Sequence, residues 1–287
     1  MFPRIATIEH MCEGLSLFSE PTKAWFEHAF GQPTEAQAQA WPAIHSGRNV
    51  LVIAPTGSGK TLAAFLSAID RLMTVSRKRR AGVRVLYVSP LKALAVDVAK
   101  NLEQPLEGIA AQCEAQGLPA PKIAVANRSG DTTAQERRRI ASHPPDILVT
   151  TPESLYLLLT SKAGRILGTV DTVIVDEIHA VAGTKRGSHL ALSLERLENL
   201  VAESRRRDAM DRNDGESKVS DDSGNEPLLQ RIGLSATVNP PEEAARFLTG
   251  GRPVTIVNPG GRPAMDLRMV EPLENMRDLQ SVNAKQR

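Results

Sequence analysis

Short apolar runs recur along the chain at residues 49–53, 83–88, 122–126, 146–150, 170–175, 229–234 and 253–257. Each is of strand rather than helix length and is bounded by turn-forming residues. Strands of this kind are buried on both faces. Between them lie segments with apolar residues at helical spacing: 62–69, 91–115, 134–142 and a stretch beginning near Pro152. Residues 21–30 form another amphipathic segment, which Gly31 is placed to end, and Thr34 is placed to cap a further helix. Strands alternating with helices predict an α/β fold, a mostly parallel sheet with helices on both faces. Such sheets bind ligands at the carboxyl ends of their strands, so chemistry is expected in the loops there.

The pattern lapses over residues 203–227, a polar and charged stretch without apolar periodicity. Such a segment cannot offset its ordering entropy by burial, which predicts a mobile surface insertion. An apolar run resumes directly after it, so the insertion interrupts a domain rather than ending one. From residue 258 the chain turns Pro- and Gly-rich, offers one more candidate strand at 265–270, and ends in polar residues. The expected organisation is a helical lead-in at 1–33, one domain at 34–258 and a linker at 259–287.

Composition changes this picture little. Hydrophobic residues at 41% and charged residues at 24% are ordinary for a soluble globular protein, and no apolar run reaches membrane-spanning length. The first residues lack the basic stretch and apolar core of a secretory signal, so a cytoplasmic location is expected. Cys12 and Cys113 stand far apart with no partner at metal-binding spacing. The formal net charge of +2 neither demands nor excludes nucleic acid, and the arginine clusters at 77–80, 137–139 and 205–207 fit solvated faces as well as phosphate contacts. Aromatic residues make up 3%, which argues against a surface that holds single strands mainly by stacking bases.

The strongest chemical signal follows the run at 49–53. Pro55, Thr56, Gly57, Ser58, Gly59, Lys60 and Thr61 lie between a strand and a helix, the context a phosphate-binding loop requires. Glycines let successive N–H groups face phosphate oxygens, and the helix adds the positive end of its dipole. Lys60 is then placed to reach the β and γ phosphates, and the Thr61 hydroxyl to sit on Mg²⁺. The generic pattern begins with Gly, where this chain has Ala54.

Asp176, Glu177 and His179 follow the run at 170–175. A phosphate-loop NTPase uses one such carboxylate to hold Mg²⁺, usually through water, and the next to activate the attacking water. His179 is placed to hydrogen-bond Ser235 or Thr237, which with Ala236 close another strand. Pro90, Leu91 and Lys92, then Gly130 and Asp131, then Thr151, Pro152, Glu153 and Ser154 put turn residues and helix starts at further strand ends, where exposed amides bind anions. Pro90 and Pro152 also fit a first helical turn without any function. Gln37 stands three residues after Thr34, which suits a capping box, while its amide also suits an adenine edge.

These motifs, in this order, resemble those of superfamily 2 DEAD/DExH helicases. Trp25, Phe26, the run Phe30-Gly31-Gln32-Pro33-Thr34, Ala40, Trp41, Pro42, Thr132 and the run Arg186-Gly187-Ser188-His189 are similar to the N-terminal lobe of the large helicase-related (Lhr) proteins. The resemblance implies a RecA-like lobe that binds ATP and Mg²⁺, with Gln37 at the adenine, Lys60, Thr61 and Asp176 at the phosphates and metal, and Glu177 serving hydrolysis. It implies single-strand contacts from Pro90 to Lys92, Gly130, Asp131 and Thr151 to Ser154, and a coupling role for Ser235, Ala236 and Thr237. The implied partner is single-stranded nucleic acid, DNA favoured and RNA possible, with no membrane.

Helicases of this kind complete the cleft with a second RecA-like lobe that supplies arginine fingers. No Gln-x-x-Gly-Arg-x-Gly-Arg sequence follows Thr237. The expectation is a motor lobe that stops before the second lobe, hydrolyses ATP poorly by itself and works with that lobe in cis or in trans. An inert remnant that binds nucleotide, nucleic acid or a partner protein without turnover is the alternative. A phosphate-loop kinase would need a basic lid, which the sequence does not offer.

Overall fold

A computed structural model of the protein describes residues 14–74, 82–211 and 229–260. The elements run α1 (Glu20–Phe30), α2 (Glu35–His45), β1 (Val50–Ile53), α3 (Lys60–Thr74), β2 (Val85–Val88), α4 (Lys92–Asn101), α5 (Glu103–Ala115), β3 (Val125–Arg128), α6 (Ala134–Ser142) and β4 (Ile147–Thr150). There follow α7 (Pro152–Leu159), a 3₁₀ helix (Lys162–Thr169), β5 (Thr172–Val175), α8 (Ile178–Val181), α9 (Lys185–Asp211), β6 (Gln230–Ser235), α10 (Pro241–Thr249) and β7 (Thr255–Val257).

The strands form one seven-stranded sheet in the order β3-β4-β2-β5-β6-β1-β7. Every pairing is parallel. The five inner strands are buried at every position, whereas the edge strands β3 and β7 are half-buried. Alternate residues of each inner strand point to opposite faces, so the sheet divides two cores. Val50, Val52, Tyr87, Val149 and Ile174 join Phe26, Trp41, Phe65 and Ile109 on the α1–α5 face. Leu51, Ile53, Leu86, Leu148 and Val175 join Leu155, Ile178, Leu194 and Leu248 on the α7–α10 face.

Several boundaries differ from the sequence expectation. The segment 91–115 is two helices, α4 and α5, which meet at Leu102. The polar stretch expected as an insertion from residue 203 begins inside α9, which runs to Asp211. Its first residues include Glu203, Arg205, Arg206 and Arg207, good helix formers that need no buried face once a helix is already propagating. Residues 212–228, the Arg77–Arg80 cluster, Cys12 and the candidate strand at 265–270 lie outside the described residues, as does most of the expected linker. No described helix is long and apolar enough to cross a membrane.

Candidate nucleotide and nucleic-acid site

The sheet order sorts the motifs along one edge. At the carboxyl ends of β5, β6 and β1, three adjacent strands, lie Asp176–His179, Ser235–Thr237 and the glycine loop. At the ends of β3, β4 and β2, also adjacent, lie Gly130 and Asp131, Thr151–Ser154 and Pro90–Lys92. The two halves meet where β2 pairs with β5.

In the first half, Pro55, Thr56 and Gly57 are exposed, and Ser58 and Gly59 lead into α3, whose first residue is Lys60. Gly57 and Gly59 have φ of 82° and 78°, a backbone region that a side chain disfavours. The capping box of α2 grips this loop. Thr34 N–H donates to Gln37 Oε1 at 2.9 Å while Gln37 N–H donates to Thr34 Oγ1 at 3.3 Å. Thr34 Oγ1 also donates to Ser58 O at 2.8 Å, and Gln37 Nε2 to Gly59 O at 3.2 Å. Gln37 is therefore a cap and a loop tether together. Its amide keeps one N–H and one lone pair beyond those bonds.

Lys60 is 5% exposed, and its ammonium reaches only a long bond of 3.5 Å to Pro55 O. The Ser58 hydroxyl is buried with no hydrogen-bond partner. A buried cation with one distant acceptor and an orphaned hydroxyl beside it are what a phosphate would satisfy. Among the described residues no cluster of three or more His, Cys, Asp or Glu side chains could hold a metal alone. One carboxylate, one hydroxyl and phosphate oxygens suit Mg²⁺, which keeps several waters, so Thr61 and Asp176 fit it.

Asp176 is 6% exposed, accepts Glu177 N–H at 2.8 Å on Oδ1, and accepts the buried Tyr87 hydroxyl on Oδ2. Burial, then the adjoining Asp176 charge, push the Tyr87 phenol well above its ordinary range, so Tyr87 stays a neutral donor. Glu177 has φ 49° and ψ 43°, the left-handed region, and is the one non-glycine with positive φ among the described residues. That turn stops β5 and starts α8.

His179 Nδ1 accepts Ala236 N–H at 3.2 Å and lies 3.4 Å from Ser235 Oγ, while its Nε2 lies 3.2 Å from Glu177 Oε2. A backbone N–H can only donate, so Nδ1 is unprotonated, the proton sits on Nε2, and it points at Glu177. Gly233 leaves room for Ile178 of α8 and Leu248 of α10 to pack on β6. A Cβ there would lie 2.5 Å from Ile178 Cδ1 and 2.7 Å from Leu248 Cδ2.

In the second half, Leu91 and Lys92 are exposed and Pro90 is buried. Lys92 Nζ pairs with Asp131 Oδ1 at 2.8 Å, joining the β2 and β3 loops. Thr151 caps α7 by accepting Ser154 N–H at 3.4 Å, and Pro152 occupies the first turn of that helix. The Glu153 carboxylate takes both Arg186 Nε and Arg186 Nη2, the latter at 2.9 Å. That pairing holds Glu153 below the usual carboxylate range. The structure thus brings each candidate to the same sheet edge, but Asp131 and Glu153 face it as partners of Lys92 and Arg186.

Sequence reasoning passed over Tyr87, because it sits inside an apolar strand where a tyrosine counts as a hydrophobe. Only the strand order puts its hydroxyl on Asp176. Tyr87→Phe leaves Asp176 Oδ2 short of one charge-assisted hydrogen bond. We expect a stability loss of about 1–3 kcal/mol, measured by urea unfolding, and an unchanged transition would show that this bond contributes nothing net.

A family model described as DEAD/DEAH box helicase matches residues 34–245. Two curated relatives are similar over most of this chain. They are the Lhr helicase/probable uracil glycosylase of Mycolicibacterium smegmatis, 55% identical over 265 residues, and the Lhr helicase/uracil glycosylase of Escherichia coli, 49% identical over 272 residues. The matches cover 92% and 93% of this chain but 16% of each relative. Among solved structures, Mycobacterium smegmatis helicase Lhr bound to ssDNA and AMP-PNP is 57% identical with a TM-score of 0.73, covering 85% of this chain and 28% of that one. With its motifs gathered on one edge of a RecA-like sheet, the chain belongs to the DEAD/DEAH box helicase family.

Proposed function

We propose that this chain is the ATP-binding motor lobe of a nucleic-acid helicase or translocase. One observation carries the reading: strand order gathers the hydrolysis motifs at three adjacent strand ends and the strand-contact motifs at the next three. When bound, ATP with Mg²⁺ supplies the phosphoryl group whose hydrolysis drives such a motor. Lys60 and the loop amides neutralise phosphate oxygens, Thr61 and Asp176 hold the metal, and Gln37 contacts the adenine. Glu177 takes the proton of the attacking water, with its carboxylate held by the Nε2–H of His179. Ser235 and Ala236, bonded to the same imidazole, couple the nucleotide half to nearby elements.

Backbone contacts from Pro90–Lys92, Gly130, Asp131 and Thr151–Ser154 would hold a single strand without reading its bases. The 57% identical Lhr helicase was solved with ssDNA bound, which favours DNA over RNA. A second RecA-like lobe completes the cleft in this reading, supported by the small share of its relatives that the chain spans.

The test is binding of a fluorescent ATP analogue to the chain, followed by ATPase assays with and without single strands. Lys60→Ala is expected to weaken nucleotide binding by about 10- to 100-fold, the value of a charge-assisted bond to phosphate. Equal binding by the variant would sink the nucleotide reading. Binding without turnover, even after a second lobe is added in trans, would favour a lobe that binds and does not hydrolyse.

A further inference from the structure

At the end of edge strand β3, two neighbouring arginines each leave a buried nitrogen without a hydrogen-bond partner. Arg128 closes the strand and is 9% exposed, yet its Nη1 has no hydrogen-bond partner. Arg137 reaches it from α6. Its Nη2 donates to Gly130 O at 2.9 Å and approaches Ser129 O at 3.5 Å, but its buried Nε has no partner either.

The acidic side chains nearby are already engaged. Asp131 pairs with Lys92, and Glu136 accepts Thr133 N–H at 3.0 Å in the capping box of α6. Burial, and then the Arg137 charge, push the Arg128 guanidinium below its ordinary range. Leaving a buried guanidinium beside a half-buried one, both under-bonded, is costly, and a fold keeps such an arrangement where something outside it supplies the anion. Each guanidinium presents a planar fork that matches phosphate oxygens.

We propose that Arg128 and Arg137 form a phosphate-oxyanion site, filled by one backbone phosphate of a bound single strand. The assignment rests on the motor-lobe reading and deepens it, since it moves the strand's firmest hold on β3 from the Gly130 amide to this pair. Arg137, reaching in from α6 and bonded to the Gly130 carbonyl, also fixes the turn that Lys92 faces: a Cβ on Gly130 would sit 3.2 Å from Lys92 Nζ.

The experiment has two arms on the full chain. In the first, strand affinity of wild type and Arg137→Gln is measured by anisotropy across salt concentrations. Losing one phosphate contact on a single strand should lower the slope of log K against log salt by about 0.7. Nucleotide affinity, read in parallel, should not change, and Arg137→Lys should restore the slope while recovering only part of the affinity. In the second, the Arg137 Nε–Hε resonance is followed by NMR as inorganic phosphate or a single strand is added, and it should move with both.

An unaltered slope in Arg137→Gln, with wild type binding strand normally, would overturn the site and leave the motor-lobe reading intact. A resonance that moves with phosphate while wild type binds no strand would overturn the strand assignment and, with it, that part of the motor-lobe reading. Arg137 is the variant of choice because Arg128, nine-tenths buried, also closes β3.

Discussion

Glu177→Gln is expected to lower ATP turnover by about 10²- to 10⁴-fold, the usual worth of a positioned general base, while nucleotide binding stays within a few-fold of wild type. Glu177 sits at the end of β5, with its carboxylate 3.2 Å from His179 Nε2. Glutamine keeps the size and a carbonyl acceptor for that imidazole proton but cannot take a proton from water. The left-handed backbone at Glu177 is equally strained for both residues, so folding should be unaffected. The measurement is steady-state ATPase under the most active condition found for wild type, beside equilibrium nucleotide binding. If turnover persists at the wild-type rate, the base is some other group and the Glu177 assignment falls. A parallel loss of binding would mean that the substitution disturbs the cradle instead.

Arg231→Ala should cause the largest loss of stability among these substitutions. Arg231 is 1% exposed in β6, where it pairs with Glu195 at 2.8 Å and with Glu198 and donates to Leu248 O at 3.0 Å. It ties the centre of the sheet to α9 and α10. Removing it leaves a void in the core and takes the shorter partner from Glu198, which keeps only Arg252 at 3.3 Å. The loss should therefore sit at the low end of the range for breaking a buried pair, about 3 kcal/mol, equivalent to a Tm lowered by roughly 10 °C. Arg252, which also bonds Glu195 at 2.7 Å, keeps part of the network in place.

The pH dependence has a definite sign. Hydrogen bonding from Arg252, and then pairing with Arg231, depresses the Glu195 carboxyl below its ordinary value. Its contribution is therefore present above the unfolded carboxyl's range and is lost as pH falls through the lower folded value. The gap between wild type and Arg231→Ala should narrow in acid. Urea unfolding at neutral and at acidic pH checks both statements, and a variant as stable as wild type would show that the network adds nothing net.

Much of this was legible in the sequence because strand runs and loop residues are local signals. The glycine loop announces itself through the strand before it and the helix after it. Thr34 and Gln37 announce a cap by spacing, although the grip on Ser58 O and Gly59 O comes from a segment more than twenty residues away and leaves no local trace. Tyr87 and Arg231 were not legible for the same reason. Each sits in an apolar strand run, and what makes it polar in function is a partner that strand order or a packed helix brings from elsewhere. The end of α9 was misread from composition: charged residues cannot build a core, but they extend a helix that Leu190, Leu194 and Leu197 have already anchored.

The strand order has a mechanical consequence as well. Adjacent strands stand about 4.8 Å apart, so the β1 loop and the β2 loop, three steps away, are held about 14 Å from each other by an unbroken parallel ladder. Parallel strands buried on both faces do not slide past one another without breaking that ladder and its two cores. The sheet therefore acts as a ruler: it keeps the phosphate cradle and the strand tips at a fixed spacing. In the motor-lobe reading proposed above, any stroke must appear as movement of something else relative to this edge.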